Sequence, residues 1–364
     1  MTMDNLDPAP AGTFTVVALP DMQLYAHTGT EVYDQVIRWI VEQRERQRIV
    51  FVSHLGDMVD KADRHEQWRV VRTAMRPLDE CLPYGAALGN HDLMQGWRTL
   101  YDEYFPERLF TGRPWYGGSF EHSSYQLVSA AGLDFLFLQL ECNARDHVLA
   151  WADEVIRRHP DRRVAVSTHC YLGRLVSGLP REERWYTPRG RLPWSRFADG
   201  NTARQMWDKC LSRHPNLFLI LSGDQAFVQA MRQQATGQHG NTVHELMSDY
   251  SYASRDLRGA HPDFFRECRL PPADLLREQD YRETVLARPD FGRQRRGSMQ
   301  EIKSKSGKPV PCMDGFIRLL RFVPAGNRIE VRTYSPVQDR LCLGNPVVPD
   351  PGQHRFDLEY GMMG

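Results

Sequence analysis

Ile49, Val50, Phe51 and Val52 form an apolar run that gives way, after Ser53-His54-Leu55, to Gly56-Asp57-Met58-Val59-Asp60. The pattern recurs. Phe14 to Leu19 stops at Pro20-Asp21-Met22-Gln23, Tyr84 to Leu88 at Gly89-Asn90-His91-Asp92, Val164 to Thr168 at His169, and Leu217 to Leu221 at Ser222-Gly223-Asp224-Gln225. Short apolar runs closed by turn-forming residues read as buried strands. Between them the apolar spacing becomes helical: Val32, Val36, Ile37, Ile40 and Val41 share one face, further helices fit Glu66 to Glu80, Asp146 to Arg158 and Ala203 to Ser212, and a helix pattern begins at the Gly56 to Asp60 segment. Strand-helix-strand alternation predicts βαβ units, with the strand ends delivering carboxylates, a carboxamide and an imidazole to one edge. Chemistry is expected at that edge.

The remaining pattern sets the domain plan. Strands fit Ser124 to Val128 and Leu133 to Leu140 about the Ala131-Gly132 turn, and later Phe227 to Gln234, Val243 to Met247, Gly315 to Phe322 and Arg328 to Tyr334. An aromatic loop, Trp97 to Trp115, and a long Gly/Pro/Arg/Trp-rich loop, Tyr171 to Gly200, separate elements, the second reading as substrate-facing because of its length. The organisation expected is a tail at 1–13, a core at 14–250, a basic insertion at 251–314 with a short helix over Pro272 to Ala287, and strands at 315–364 completing the same domain. The insertion reads as a solvated excursion in preference to a phosphate-gripping lid.

Composition narrows the class. Lys+Arg 46 balances Asp+Glu 46, so no global basic field points to nucleic acid or an anionic membrane. No apolar run approaches a membrane span, and the N-terminus lacks the basic and apolar regions of an export signal. Seven scattered cysteines, never spaced CxxC, argue for a reducing compartment, with the cytoplasm expected.

Asp21-x-Gln23, Gly56-Asp57-x-x-Asp60, Gly89-Asn90-His91-Asp92, Thr168-His169 and Ser222-Gly223-Asp224, in this order, resemble the calcineurin-like metallophosphoesterase superfamily. The PDxQ opening and the segments WDKCLSRHPNLFLILSG, GNTVHELMSDY and IRLLRFVPAGNRIEVRTYSP look like a bacterial branch of it. The resemblance implies an α/β four-layer α-β-β-α sandwich and a dinuclear metal centre at the strand ends. It implies Asp57 as bridging carboxylate, Asp21 and Gln23 on the first metal, Asn90 and His169 on the second, and Asp224 at another ligand position. Two cations can clamp phosphoryl oxygens and generate hydroxide at neutral pH. His91 resembles the general acid for the leaving oxygen, and Asp60 either orients it or caps the helix that follows.

Two imidazoles of the family pattern are missing here. Gln23 stands in the usual DxH, and GHxH has become Gly223-Asp224-Gln225-Ala226, leaving the first metal short of a donor, with His239 and His244 as reserves. Oxygen in place of nitrogen moves the preference for the one or two divalent ions from Zn²⁺ to Mn²⁺, Fe²⁺ or Mg²⁺. Arg174, Trp185 and Tyr186, with Asn90 and His91, are candidates for holding a small phosphorylated substrate, while Asp92 reads as a turn carboxylate and Cys170 as a buried thiol. The function expected is metal-dependent hydrolysis of a small phosphate ester. A diverged one-metal enzyme of a biosynthetic pathway and a non-catalytic phospholigand-binding protein are the alternatives.

Overall fold

The computed structural model describes residues 6–29, 31–173, 197, 199–225, 229–251, 314–344, 348 and 350–362. The described strands are, in chain order, β1 (Phe14–Leu19), β2 (Ile49–His54), β3 (Tyr84–Ala86), β4 (Tyr116–Phe120), β5 (Ser123–Ala130), β6 (Leu133–Gln139), β7 (Arg163–Ser167), β8 (Leu217–Ser222), β9 (Ala230–Thr236), β10 (Thr242–Ser248), β11 (Ile317–Val323), β12 (Arg328–Ser335), β13 (Arg340–Leu341) and β14 (Arg355–Glu359). The helices are α1 (Gln23–Thr28), α2 (Val32–Glu42), α3 (His65–Met75), α4 (Tyr101–Tyr104), α5 (Asp146–Arg158) and α6 (Ala203–Lys209). One sheet has the order β13-β12-β11-β1-β2-β3, with β14 also on β12; the other runs β4-β5-β6-β7-β8-β10-β9.

Side-chain alternation explains the layers. Phe14, Val16 and Ala18 of β1 face Phe135, Phe137 and Ala165 of the second sheet, whereas Val17 and Leu19 point the other way, onto α1 to α3. In β6 the parity is mirrored: Leu136 and Leu138 pack on α5 and α6, and Phe135 and Phe137 turn inward. The result is the four-layer α-β-β-α sandwich expected from the resemblance. Phe51 stacks on Phe137 with centroids 4.1 Å apart, and Phe14 on Phe322 at 4.6 Å, so aromatic rings fill the space between the sheets. No helix among the described residues is long and apolar enough to cross a membrane.

The local differences from the sequence reading have physical causes. No helix begins at the Gly56 to Asp60 segment, and the helix expected over Glu66 to Glu80 is α3 from His65, continued by a 3₁₀ turn over Arg76–Glu80. Asp57 sits at φ 52, a left-handed conformation no helix accepts. The following amides bond to side chains: Val59 N–H to Asp92 Oδ1, and those of Asp60 and Lys61 to Gln67 Oε1. Asp60 therefore caps no helix, and Arg64 precedes α3. The aromatic loop contains the single turn α4 and is followed by β4, whose Gly117-Gly118 pair and exposed end gave no alternation to read. Residues 252–313, including the expected helix Pro272 to Ala287, lie outside the described residues.

His354 links the C-terminal strands to β10. Its Nε2–H donates to the Val348 carbonyl at 3.0 Å, and the Tyr250 hydroxyl donates to Nδ1 at 2.9 Å. Burial, opposed by that carbonyl and aided by the Arg318 charge, lowers its pKa to about 4. An unfolded histidine titrates near 6.5, so between these values the unfolded chain binds the extra proton and stability falls as pH falls. The His354 contribution to that slope is at most about 1.4 kcal/mol per pH unit, and urea midpoints between pH 7 and 4.5 should show a shallower slope for His354→Gln. Phe51→Ala should lower stability by about 3–5 kcal/mol in the same titration at pH 7.

Candidate metal centre

β1, β2 and β3 run parallel, as do β6, β7, β8 and β10, so their C-terminal ends define the edges from which the polar residues project. Asp21 follows β1, Asp57 follows β2, Asn90 follows β3, His169 follows β7 and Asp224 follows β8. Asp21, Gln23, Asp57, Asn90 and His169 are buried, and Asp224 is half-buried.

His169 organises the centre. Its Nδ1–H donates to the Leu55 carbonyl at 2.7 Å, which leaves Nε2 3.1 Å from Asp57 Oδ1 and 3.8 Å from Asp21 Oδ2, with no hydrogen bond. Gln23 Nε2 donates to Asp57 Oδ2 at 3.3 Å, and its Oε1 is likewise buried without a partner. The Asp224 N–H donates to Asp21 Oδ2 at 3.1 Å, while its carboxylate gathers with His169 and Cys170. Acceptors clustered with so few donors are unfavourable unless a proton or a cation lies among them. The donor set, carboxylate, carboxamide and imidazole, fits divalent ions.

The local backbone is shaped around these groups. A Cβ on Gly89 would stand 2.1 Å from Asp57 Oδ1 and 2.4 Å from the Asp57 nitrogen, and one on Gly223 2.2 Å from Asp21 Oδ1. Asp57 and Asp224 both have positive φ, at 52° and 69°, a strain that surrounding contacts must hold. The charges respond to this crowding. Burial drives Asp21 well above the usual carboxylate range, and Asp249 adds to the rise. Burial pushes Asp57 up too, but the His169 and His91 charges outweigh it and leave Asp57 lowered. His169 is raised well above its ordinary value because Asp57 and Asp21 overcome the desolvation that opposes its charge.

His91 occupies the mouth. Its backbone N–H donates to Asp57 Oδ1 at 2.9 Å, its Nδ1–H to the Asp60 carbonyl at 2.8 Å, and Nε2 lies 4.0 Å from Asp57 Oδ2. A third of its side chain is exposed. Desolvation opposes its charge, yet Asp57 and Asp60 raise its pKa to about 9. Asp60 is shared between His91 Nδ1 at 3.4 Å and His27 Nδ1 at 2.7 Å, a second imidazole. Asp92 accepts from the Gly89 and Val59 amides at 2.8 and 3.0 Å, the turn role expected of it.

Several expectations fall elsewhere. Arg174, Trp185, Tyr186 and Ala226 lie outside the described residues. The reserve histidines take no part: Nε2 of His239 donates to the Arg213 carbonyl, and that of His244 to the Glu359 carbonyl. The residue that sequence reading missed is Asp249. It lies one step beyond β10, is buried, and its carboxyl is within hydrogen-bonding reach of that of Asp21. Its signal was weak, because His244 and Glu245 interrupt the apolar pattern of the strand that leads to Ser248-Asp249.

Residues 14–197 match the family model described as calcineurin-like phosphoesterase. The uncharacterized protein YvnB of Bacillus subtilis (strain 168) is 29% identical over 261 residues, covering 69% of this chain and 18% of that protein, so the chain spans under a fifth of that relative. Among solved structures, the purple acid phosphatase PPD1 from yellow lupin (Lupinus luteus) seeds has a TM-score of 0.49 at 11% identity, over 98% of this chain and 55% of that one. GAP50 of Plasmodium has a TM-score of 0.44 at 9% identity, over 97% and 90%.

Gly89→Ala tests how tightly the centre is shaped. The clash with the Asp57 backbone has no flexible side chain to absorb it, so the variant should lose about 1–3 kcal/mol of stability, measured by urea unfolding.

Proposed function

The chain belongs to the calcineurin-like phosphoesterase family, and from that premise we propose that it hydrolyses the phosphate ester of a small molecule, with His91 delivering the proton to the leaving oxygen. The observation that carries this reading is the pairing of two imidazoles in different settings. His169 is sealed from solvent, with a bare nitrogen turned toward two carboxylates; His91 shares Asp57 with it but keeps an open edge.

Asp21, Gln23, Asp57, Asn90, His169 and Asp224 would hold one or two divalent ions, with Mn²⁺, Fe²⁺ or Mg²⁺ favoured by the oxygen-rich set. When bound, such ions neutralise phosphoryl oxygens and make water a nucleophile at neutral pH. The side chains supply the rest. Asp60 and its carbonyl fix the His91 ring, so that Nε2 faces the centre while Nδ1–H stays engaged. His27 and Lys61 hold Asp60 from its other side, which keeps the carboxylate from turning away.

Stripped protein reloaded with Mn²⁺ and offered an alkyl phosphate and 4-nitrophenyl phosphate tests this reading. His91→Ala should lower kcat by about 10²–10⁴ on the alkyl ester, and by less on the aryl ester, whose leaving group needs no proton. Equal losses on both esters, or full activity of a folded Asp57→Asn protein, would sink it.

A further inference from the structure

We propose that Asp249 adds a carboxylate, beside Asp21, to the divalent-cation position that Asp21, Asp57 and His169 form with Gln23, in place of the donor that Gly223-Asp224-Gln225-Ala226 lacks. The inference rests on the metal-dependent reading above and goes beyond it. Both Asp224 and Asp249 lie outside the segment matched by the family model.

Register places the residue. β10 lies parallel beside β8 with Met247 opposite Ser222, so two residues further on Asp249 emerges level with Asp224. The two carboxylates then divide the centre. Asp224 gathers with His169 and Cys170, whereas the Asp249 carboxyl lies against that of Asp21. The Asp249 carboxylate is also pre-aimed. Its Oδ1 accepts from the Ser251 N–H at 3.0 Å and the Ser251 hydroxyl at 2.6 Å, and its N–H donates to the Gln229 carbonyl at 2.9 Å. Next to it, Tyr250 is pinned by His354 and by the buried Arg318.

Two buried carboxyls in contact need a proton or a cation between them, because like charges withdrawn from water repel. The unpartnered atoms beside this pair favour the cation. Gln23 Oε1, 95% buried and without a hydrogen-bond partner, and the bare His169 Nε2 provide independent signs of a ligand among these groups. Charge agrees as well. Asp21, Asp57, Asp224 and Asp249 carry four negative charges when ionised, which two divalent cations balance. With carboxylate and carboxamide oxygens outnumbering the one imidazole nitrogen, the position takes Mn²⁺ or Mg²⁺ in preference to Zn²⁺.

The test is metal binding by the full chain, stripped with EDTA and titrated with MnCl₂, with free Mn²⁺ followed by electron paramagnetic resonance and thermal midpoints recorded with and without the ion. Asp249→Asn should bind one Mn²⁺ at least about tenfold more weakly than the unaltered protein. Its metal-free form should melt no lower, since a like charge has been removed, and its Mn²⁺-induced gain in Tm should shrink. Unchanged Mn²⁺ number and affinity, or a lower metal-free Tm with normal Mn²⁺ uptake, assigns Asp249 a structural role and overturns the inference while the proposed function stands. If the unaltered protein takes up no Mn²⁺ or Mg²⁺, both readings fall. Should Asp249→Asn not fold, Ser251→Ala is read the same way: it keeps the carboxylate and removes one of its two guides, so weakened uptake supports the assignment and unchanged uptake overturns it.

Discussion

Burying several carboxylates within contact of one another is the constraint around which this protein is arranged. Asp21, Asp57 and Asp249 are withdrawn from water, where an ionised carboxylate without compensation is strongly unfavourable. Each is therefore held by directed groups: the Asp224 amide on Asp21, the His91 amide and Gln23 on Asp57, Ser251 on Asp249. These few donors orient the oxygens without neutralising them. The Leu55 carbonyl completes the arrangement by anchoring Nδ1 of His169, which turns Nε2 toward the acids.

Such convergence demands a rigid frame. The six strand ends come from two sheets, so their relative position depends on how the sheets lock together. That lock is aromatic. Phe14, Phe51 and Phe322 from one sheet meet Phe135, Phe137 and Phe218 from the other in stacked and edge-on pairs, a dry layer that fixes the sheets face to face. The chain's late strands contribute to it: β11 lies antiparallel on β1, Phe322 opposite Phe14, and sends Arg318 to the end nearest the site. Through Tyr250 and His354, Arg318 ties the first sheet to the strand that carries Asp249.

Most of the frame was legible because buried strands and amphipathic helices leave periodic signals. The runs Phe14 to Leu19 and Leu217 to Leu221 and the face of α5 emerged within a residue or so of their bounds. What failed to show had no period to show. β4 is Gly-rich and half-exposed; β14 is a five-residue strand with only Phe356 and Leu358 packed; the segment after Gly56 has helical composition but a left-handed Asp57. The candidate site followed the same division. Its tetrapeptide motifs stood out, whereas Asp249 depends on a register between β8 and β10 that no linear pattern carries. His27 escaped for the same reason, since only the packing of α1 beside Gln67 brings it to Asp60.

The preponderance of oxygen over nitrogen among the side chains gathered here sets the charge of the site. A neutral imidazole donates electron density without adding charge; a carboxylate adds both, so it suits ions of hard character and raises the charge that those ions must balance. The two histidines that remain are differentiated by environment and not by type. His169, fully buried and anchored through Nδ1, has no route for exchanging a proton with solvent and is suited to holding. His91, anchored through the same atom to Asp60 but open along one edge, has such a route and is suited to transfer. Asp57, in contact with both rings, sets the electrostatic field each one feels, so a change at this single carboxylate alters holding and transfer together.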